Sequence, residues 1–462
     1  MRKSVVVIGG GIAGLTAALK LKQAGIKVTL LERNSRLGGA ICSVREGGFL
    51  VEQGPNTILE TSPRVGRLIQ ELGLEREKVY AGESSRIRYV VRGGKPIPLP
   101  LSPVAFFRSP LFTSSAKWRL LKEPFIPPWR DEKEETLSHF VRRRLGQEFL
   151  DYAVNPFVAG VYAGDPETLS TRHGFPRLFR LEQRYGSLIR GQIKGAKERR
   201  ERGEPSRQTA RIFSFLEGLK TLPDAFERAL GPRVIKNART EDIAIANGKW
   251  RVTFADDRGE KRGIFADSVV YAVQARELPN LTINGRSVSS LSDFREIYHP
   301  PLSVVALGFR RLDVDHPLDG FGMLIPEVEG FNSLGVLFSS SLFPSRAPVG
   351  SVLLTAFVGG ARQPEHALKG EGELVDMILK DLRILLGINS RPTFVHHVFW
   401  EKSIPQYNVG YGRFKKKLDR FESEHPGLFF SGNYRGGISI PDTMETSIKV
   451  AERVLSSHSH SG

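Results

Sequence analysis

A chain of 462 residues with 40% hydrophobic content is too long for one ordinary core, so two or three folded domains are expected and a disordered protein is excluded. The formal net charge of +17 suggests an anionic partner such as an acidic membrane surface or a polycarboxylate substrate. No run of Lys and Arg interleaved with aromatics resembles a nucleic-acid module, so nucleic acid is not an expected partner. Cys42 is the single cysteine, which excludes an internal disulfide and a cysteine-based metal site and fits a reducing compartment. The N-terminus leads straight into a strand pattern with no signal peptide, and no stretch of about 18 apolar residues is present to span a bilayer, so the expected location is the cytoplasm.

Val5 to Ile8 is a continuous apolar run of strand type, followed by Gly9, Gly11 and Gly14 in G-x-G-x-x-G spacing and by apolar residues at helical spacing from Ile12 to Leu21. This predicts strand, tight turn and helix. One glycine serves the turn, one lets backbone approach a pyrophosphate, and one allows the helix to pack on the strand. The helix N-terminus then offers free N–H groups and a positive dipole end to phosphate. A second strand, KVTLLE, ends in Glu32, whose carboxylate can accept both ribose hydroxyl hydrogens of an adenosine. Arg36, Gly38 and Gly39 follow in an R-x-G-G arrangement.

Further along, strand alternation in RIRYVVRGG places Arg86 and Arg88 on one face, with Arg92 close in sequence. The segment from Pro98 to Glu132 sets Phe106, Phe107, Phe112, Trp118, Phe125 and Trp129 beside Arg108, Lys117, Arg119 and Lys122, with prolines that prevent a long spanning helix. It reads as a basic amphipathic surface for anionic lipid, or as filling for a helical domain or a substrate tunnel. TLSHFVRRRLGQEFLDYAVNPF predicts a helix with Leu137, Val141, Leu145 and Phe149 on its apolar face. Lys194 to Arg207 reads as a solvated helix end and loop. Phe213 to Leu230 predicts a helix, PRVIKNARTEDIAIANGKWRVTF a strand and hairpin, and Asp267 to Ala275 a buried strand. GLFFSGNYRGGISIPDTMETSIKVAERVL predicts strand, glycine turn and helix, and the tail SSHSHSG reads as disordered. His139, His173, His299, His396 and His397 are scattered, and no nucleophile motif, paired acids or metal-ligand cluster accompanies them, so no catalytic side chain and no metal is assigned.

The R-x-G-G pair after a dinucleotide fold resembles the flavin amine oxidase superfamily and implies FAD. Five stretches, VEQGPNTI, RYVVRGGKPIPLP, NPFVAGVYAGDPETLS, LEQRYGSLIRG and IPQYNVGY, are similar to the oxygen-dependent, FAD-containing protoporphyrinogen oxidases. With the two chain ends they cover nearly the whole length, and AGVYAGDPETLS is absent from most other flavin amine oxidases. The resemblance implies an α/β fold in which a discontinuous Rossmann-like FAD-binding domain (1–85, 211–280 and 395–462) joins a mixed-sheet substrate domain (86–95 and 281–394) and a mostly helical, membrane-associated domain (96–210). It implies cofactor contacts at Gly9, Gly11, Gly14, Glu32, Arg33, Arg36, Gly38 and Gly39, with Gly54, Pro55 and Asn56 passing near the flavin ring. Val234 would approach the adenine, Trp400 would cover the ring, and Gly432, Gly437, Ile438 and Ile440 belong to the closing turn. Arg88 matches the family's carboxylate-binding arginine and Gly160 a glycine lining the cavity beside the flavin. Asn56 stands where the animal enzymes carry arginine, which leaves a second propionate contact unassigned.

The implied reaction is a six-electron oxidation of a porphyrinogen, with dioxygen as acceptor and hydrogen peroxide as by-product. Alternatives are coproporphyrinogen III as substrate, an amine oxidase or carotenoid desaturase on the same fold, and a porphyrin-binding flavoprotein scaffold without turnover. Expected partners are the porphyrinogen, dioxygen and the cytoplasmic face of a membrane, with a homodimer and contact with the next haem-pathway enzyme as further expectations.

Overall fold

The computed structural model describes residues 3–131, 133–201 and 210–459. A five-stranded parallel sheet lies at its centre, in the order Val234–Ile235, Lys27–Leu31, Ser4–Ile8, Ser268–Tyr271 and Leu428–Phe430. The run Val5 to Ile8 occupies the middle strand because it is apolar toward both faces, which only a sheet covered on both sides can bury. Val5 and Val7 join Val28, Leu30, Val270 and Phe429 under the helices Ile12–Gln23, Thr221–Leu230 and Ile440–Ser459. Val6 and Ile8 point the other way, into a second core with Val269 and Tyr271 against the antiparallel strands Arg239–Ala246, Lys249–Ala255 and Lys261–Ala266. Strands far apart in the chain thus end side by side, Ile8 beside Tyr271 and Tyr271 beside Phe430, and all point their carboxyl ends at one crevice.

A seven-stranded mixed sheet stands beside this unit, in the order Phe394–Trp400, Leu302–Arg310, Ser351–Gly359, Ser333–Leu337, Gly322–Leu324, Tyr89–Arg92 and Lys95–Pro98. Only the pair Gly322–Leu324 and Tyr89–Arg92 is parallel. One face buries Val305, Leu307, Leu354, Ala356 and Val358 under the helix Glu371–Leu386. The alternate residues, among them Leu302, Val304 and the half-buried Phe357 and Trp400, form the opposite face. Phe394–Trp400 therefore belongs to this sheet, whereas Thr282–Ile283 and Arg286–Ser287 extend the antiparallel strands of the nucleotide-binding unit.

Three local expectations change. The helix expected over Phe213 to Leu230 starts only at Thr221, because Ile212–Phe215 is a strand that pairs with Ile58–Leu59 and Lys78–Tyr80 before Gly218 turns the chain at φ +87°. The helix expected from Leu137 through Phe149 stops at Arg144, since Gly146 has φ +96°, and Leu150–Val154 forms a π turn leading into the helix Asn155–Tyr162. Leu137 and Val141 are buried as expected, while Leu145 and Phe149 are half-buried against the same cluster. The C-terminal helix runs through Ser459, tied down where His458 Nε2 lies 2.8 Å from Ser268 Oγ, so Ser456 to Ser459 are ordered; the last three residues and 202–209 of the basic segment lie outside the described residues.

The helical segment is held by charge as well as by apolar packing. Arg144, fully buried, donates to Glu182 at 2.6 Å and to Glu123 at 3.0 Å, while Arg143 bridges Glu182 and Glu135 at 2.9 Å. Glu123 also accepts from the Leu188 and Ile189 N–H groups at 2.9 and 3.2 Å, which fills the orphan donors and complements the dipole at the start of the helix Leu188–Glu201. Of the six aromatics expected to share one role, Phe112 is buried and Phe106 is half-buried against Phe112 and Phe149. Trp129 is half-buried, and Phe107, Trp118 and Phe125 remain exposed. Among the described residues no helix is long and apolar enough to cross a membrane.

Candidate active site

Two glycine loops meet at the carboxyl edge of the parallel sheet. Gly9 has φ +105° and a Cβ there would lie 2.5 Å from the Ala272 carbonyl oxygen; at Gly14 it would lie 1.9 Å from the Gly9 carbonyl oxygen. These two glycines are required by the turn and by the close helix. Gly11 is different, because nothing lies within 4 Å of the place a Cβ would take, and that open space adjoins the N-terminus of the helix Ile12–Gln23. Gly38 donates to the Gly10 carbonyl at 2.9 Å and bridges Gly11, so the R-x-G-G loop forms the other lip of the opening. Arg36 shapes that lip by donating to the carbonyls of Gly39 at 2.8 Å and of Leu37 and Ile41 at 3.3 Å. Glu32 accepts from the Gly10 N–H at 2.6 Å and from the Asn34 backbone and side chain at 2.8 and 2.7 Å. A carboxylate has about four acceptor positions, so capacity remains for a ribose hydroxyl. Arg33 is engaged by Glu277 at 3.2 Å, and Val234 lies on the outermost strand beside Leu30. Gly10, which the motif reading passed over, is the residue that ties Glu32 to the turn. A loop with room only over Gly11, a helix N-terminus and a carboxylate at the strand end fits a dinucleotide cofactor.

The other end of the crevice is assembled from distant segments. A Cβ at Gly54 would lie 2.1 Å from the Ala40 carbonyl oxygen, so the Gly54–Pro55–Asn56 loop packs directly on the R-x-G-G loop. Trp400 donates from Nε1 to the Gln53 carbonyl at 2.9 Å, and Gln53 Nε2 sits 3.0 Å from His396 Nε2, which anchors this loop to the outer strand of the mixed sheet. Asn56 turns back to the Gly54 carbonyl at 3.1 Å and lines a small cavity with Ser339, Phe343, Arg346 and Thr355. Gly432 follows the strand Leu428–Phe430, and Gly437, at φ +138°, would drive a Cβ to 2.6 Å from Asp442 Cβ. Ile438 is half-buried and Ile440 buried at the start of the final helix.

The three candidate arginines separate cleanly. Arg86 lies in a 3₁₀ turn, Glu83–Arg86, and pairs with Glu83 at 3.1 Å, so it does not share the strand face with Arg88. Arg92 is taken up by Glu148 at 2.5 Å and lies 4.3 Å from the Tyr152 ring. Arg88, an exposed residue, has no hydrogen bond or ion pair to its guanidinium among the described residues; it stands 5.4 Å from the Phe321 ring, and partial loss of hydration lowers its pKa from the usual guanidinium value without discharging it. Alternation puts Arg88 on the same side as Val90 and its neighbour Leu324, away from the helix Glu371–Leu386. Gly160, on the helix Asn155–Tyr162, faces Leu324, whose Cδ2 would be 2.5 Å from an added Cβ, and Phe157 and Val161 on this helix are exposed. Leu324 and Phe357 were not singled out from sequence, where they are two apolar strand residues among many. The histidines are engaged locally: His139 with Glu135, His173 with Glu134, His299 with the Ile297 carbonyl, His396 with Gln53 and Glu46, and His397 with Ser303.

Comparison with known proteins agrees with this geometry. The family model described as flavin containing amine oxidoreductase matches residues 12–455. The mitochondrial protoporphyrinogen oxidase of Nicotiana tabacum is 37% identical over 98% of this chain and 95% of its own length, and the coproporphyrinogen III oxidase of Bacillus subtilis (strain 168) is 29% identical over 96% of each. A crystal structure of a protein from Exiguobacterium sp. 255-15 shares the fold at a TM-score of 0.78 and 23% identity, covering 98% of this chain and 99% of that one. An α/β architecture with mixed sheets, a crevice fitted to FAD, and similarity along the whole chain agree that this protein belongs to the flavin-containing amine oxidoreductase family, on its protoporphyrinogen oxidase branch.

Proposed function

We propose that this chain oxidises protoporphyrinogen IX to protoporphyrin IX. The observation that carries the reading is Arg88: an exposed guanidinium without a carboxylate of its own, 5.4 Å from the Phe321 ring and on the sheet side of Val90 and its neighbour Leu324. That combination suits an apolar macrocycle with a carboxylate at its rim, held by a charge-assisted pair of hydrogen bonds. Bound FAD supplies the hydride acceptor and the site of dioxygen reduction. Three two-electron steps would together remove six hydrogens, one from each of the four methylene bridges and two from pyrrole nitrogens, as three hydrides and three protons, and each step would consume one dioxygen and release one hydrogen peroxide. The chain contributes orientation through Arg88 and exclusion of water through the walls around Gly160, Leu324, Phe357 and Trp400.

The test is aerobic turnover of the yellow protein with protoporphyrinogen IX and coproporphyrinogen III side by side, following porphyrin fluorescence and peroxide. Faster oxidation of protoporphyrinogen IX is the expected result. Preference for coproporphyrinogen III would replace this substrate with the one named for the Bacillus subtilis relative. Tight porphyrin binding without turnover would make the protein a carrier.

We further propose that the helical segment seats on an anionic membrane surface. Leu101, Val104, Phe107, Trp118, Phe125 and Ile193 are exposed, between 50 and 80%, and Arg108, Lys122, Arg190 and Lys194 are exposed near them in sequence. Such a surface gains both from apolar burial and from attraction to acidic headgroups.

A further inference from the structure

Tyr407, only 5% exposed, sits where three parts of the molecule meet. Its hydroxyl donates to the Asn433 carbonyl and accepts from the Gly437 N–H at 3.2 Å, so one side chain holds the turn that follows the strand Leu428–Phe430 at both ends. Its ring stacks on Tyr411 with centroids 4.2 Å apart and planes at 24°, and the Tyr411 hydroxyl donates to the next carbonyl, that of Tyr434, at 2.8 Å. The same segment reaches the helical part of the chain: Ser170 donates to the Tyr407 carbonyl at 2.9 Å, Val409 to Thr168 at 3.0 Å, and Gln406 Nε2 to the Tyr162 carbonyl at 2.9 Å. Tyr162 ends the helix that carries Gly160. Burial pushes both phenols well above their ordinary pKa, so each hydroxyl stays a proton donor wherever the protein is folded. Lys415 Nζ, 5.1 Å from the Tyr407 ring and 5.7 Å from that of Tyr411, adds a cation beside the stack.

We propose that Tyr407 is a positioning residue for the flavin, fixing the Asn433–Gly437 backbone at the cofactor crevice, in a segment whose neighbour Gln406 ties it to the helix that carries Gly160. This rests on FAD occupying the crevice and not on which porphyrinogen is oxidised.

Tyr407→Phe keeps the ring stack and removes both hydroxyl bonds, and Tyr411→Phe serves as the neighbouring control. In Tyr407→Phe, the dissociation constant for FAD, read from recovery of free-flavin fluorescence on dilution, is expected to rise about tenfold. The visible flavin spectrum and midpoint potential are expected to shift, and kcat to fall with KM for porphyrinogen within about twofold. A residue that only supported the fold would lower Tm and leave the flavin spectrum and potential of the retained holoprotein unchanged, and that outcome overturns the proposal. Equal flavin effects from Tyr411→Phe would also overturn it, because the Gly437 bond would then carry no special weight. Native-state hydrogen exchange in the unmodified holoprotein is a second measurement: the Gly437 N–H is expected to be slowed by about a hundredfold or more, and exchange at the rate of an open loop overturns the proposal without any variant.

Discussion

Arg88→Ala is expected to raise KM for porphyrinogen about tenfold or more with FAD retained, because one charge-assisted contact of about 1.5–3 kcal/mol is removed and no carboxylate of the protein is left unpaired. Steady-state kinetics with flavin content measured in parallel check this, and unchanged kinetics would remove Arg88 from the site. The glycines divide by what stands in the way of a side chain. At Gly14 an added Cβ meets the Gly9 carbonyl at 1.9 Å, which is backbone and cannot yield without moving the turn. Gly14→Ala is therefore expected to purify without yellow colour or to fail to fold. At Gly160 the obstacle is the end of the Leu324 side chain, which can rotate away. Gly160→Ala is expected to keep FAD and Tm while crowding the face it shares with Leu324, where the substrate is proposed to lie, so that KM rises and thermal stability does not move.

At the scale of elements, buried charge decides how the helical segment is built. Removing one partner from a buried ion pair costs about 3–5 kcal/mol because the others are left uncompensated. Arg144→Ala would leave the inaccessible Glu123 without a cation and Glu182 with Arg143 alone, and is expected to lower unfolding free energy by about that amount in a denaturant titration followed by tryptophan fluorescence. The helix Ser114–Leu121 is anchored differently, through Glu148, which accepts from Thr113 at 2.7 Å and pairs with Arg92. Burial opposes ionisation of Glu148, but Thr113 and Arg92 outweigh it and hold its carboxyl below the ordinary value of 4.5. The sign follows: this anchor contributes fully above pH 4.5 and is lost as pH falls through the depressed value. Trp118, on the anchored helix, is expected to change its fluorescence in that acid range in the wild type, and the step is expected to be missing in Glu148→Gln.

For the molecule as a whole, the +17 charge and the exposed apolar side chains both support the membrane seating proposed above. Replacing Phe107, Trp118 and Phe125 with serine is expected to shift the protein from acidic vesicles to the supernatant on sedimentation, with turnover of dispersed substrate unchanged. Equal sedimentation before and after would exclude this face as the membrane contact. Phe106 and Phe112 are unsuitable for that experiment, since they pack against Phe149 and one another and their loss would damage the core.

The local chemistry of the nucleotide site was legible in the order of residues, because a strand, a glycine turn, a helix and Glu32 lie within one contiguous stretch and their periodicities are set by backbone geometry. The stops at Gly146 and Gly218 were misread because helical periodicity in the flanking residues hides a single glycine whose positive φ redirects the chain. The family resemblance singled out Arg88, whereas strand alternation by itself left Arg86 on the same face; what separates the three in the structure is that Glu83 pairs with Arg86 within one turn and Glu148 reaches Arg92 from a distant segment. The sequence did not single out Leu324, Phe357 or Tyr407, whose roles depend on Gly160, the mixed-sheet face and the Asn433–Gly437 turn being brought to them. The order of residues alone was enough for the strand, glycine turn and helix of the nucleotide site, whose contacts are local along the chain. Which charge stays free and which apolar side chains share the sheet face beside Gly160 follow from folding, because both depend on partners distant in the chain that packing alone brings together.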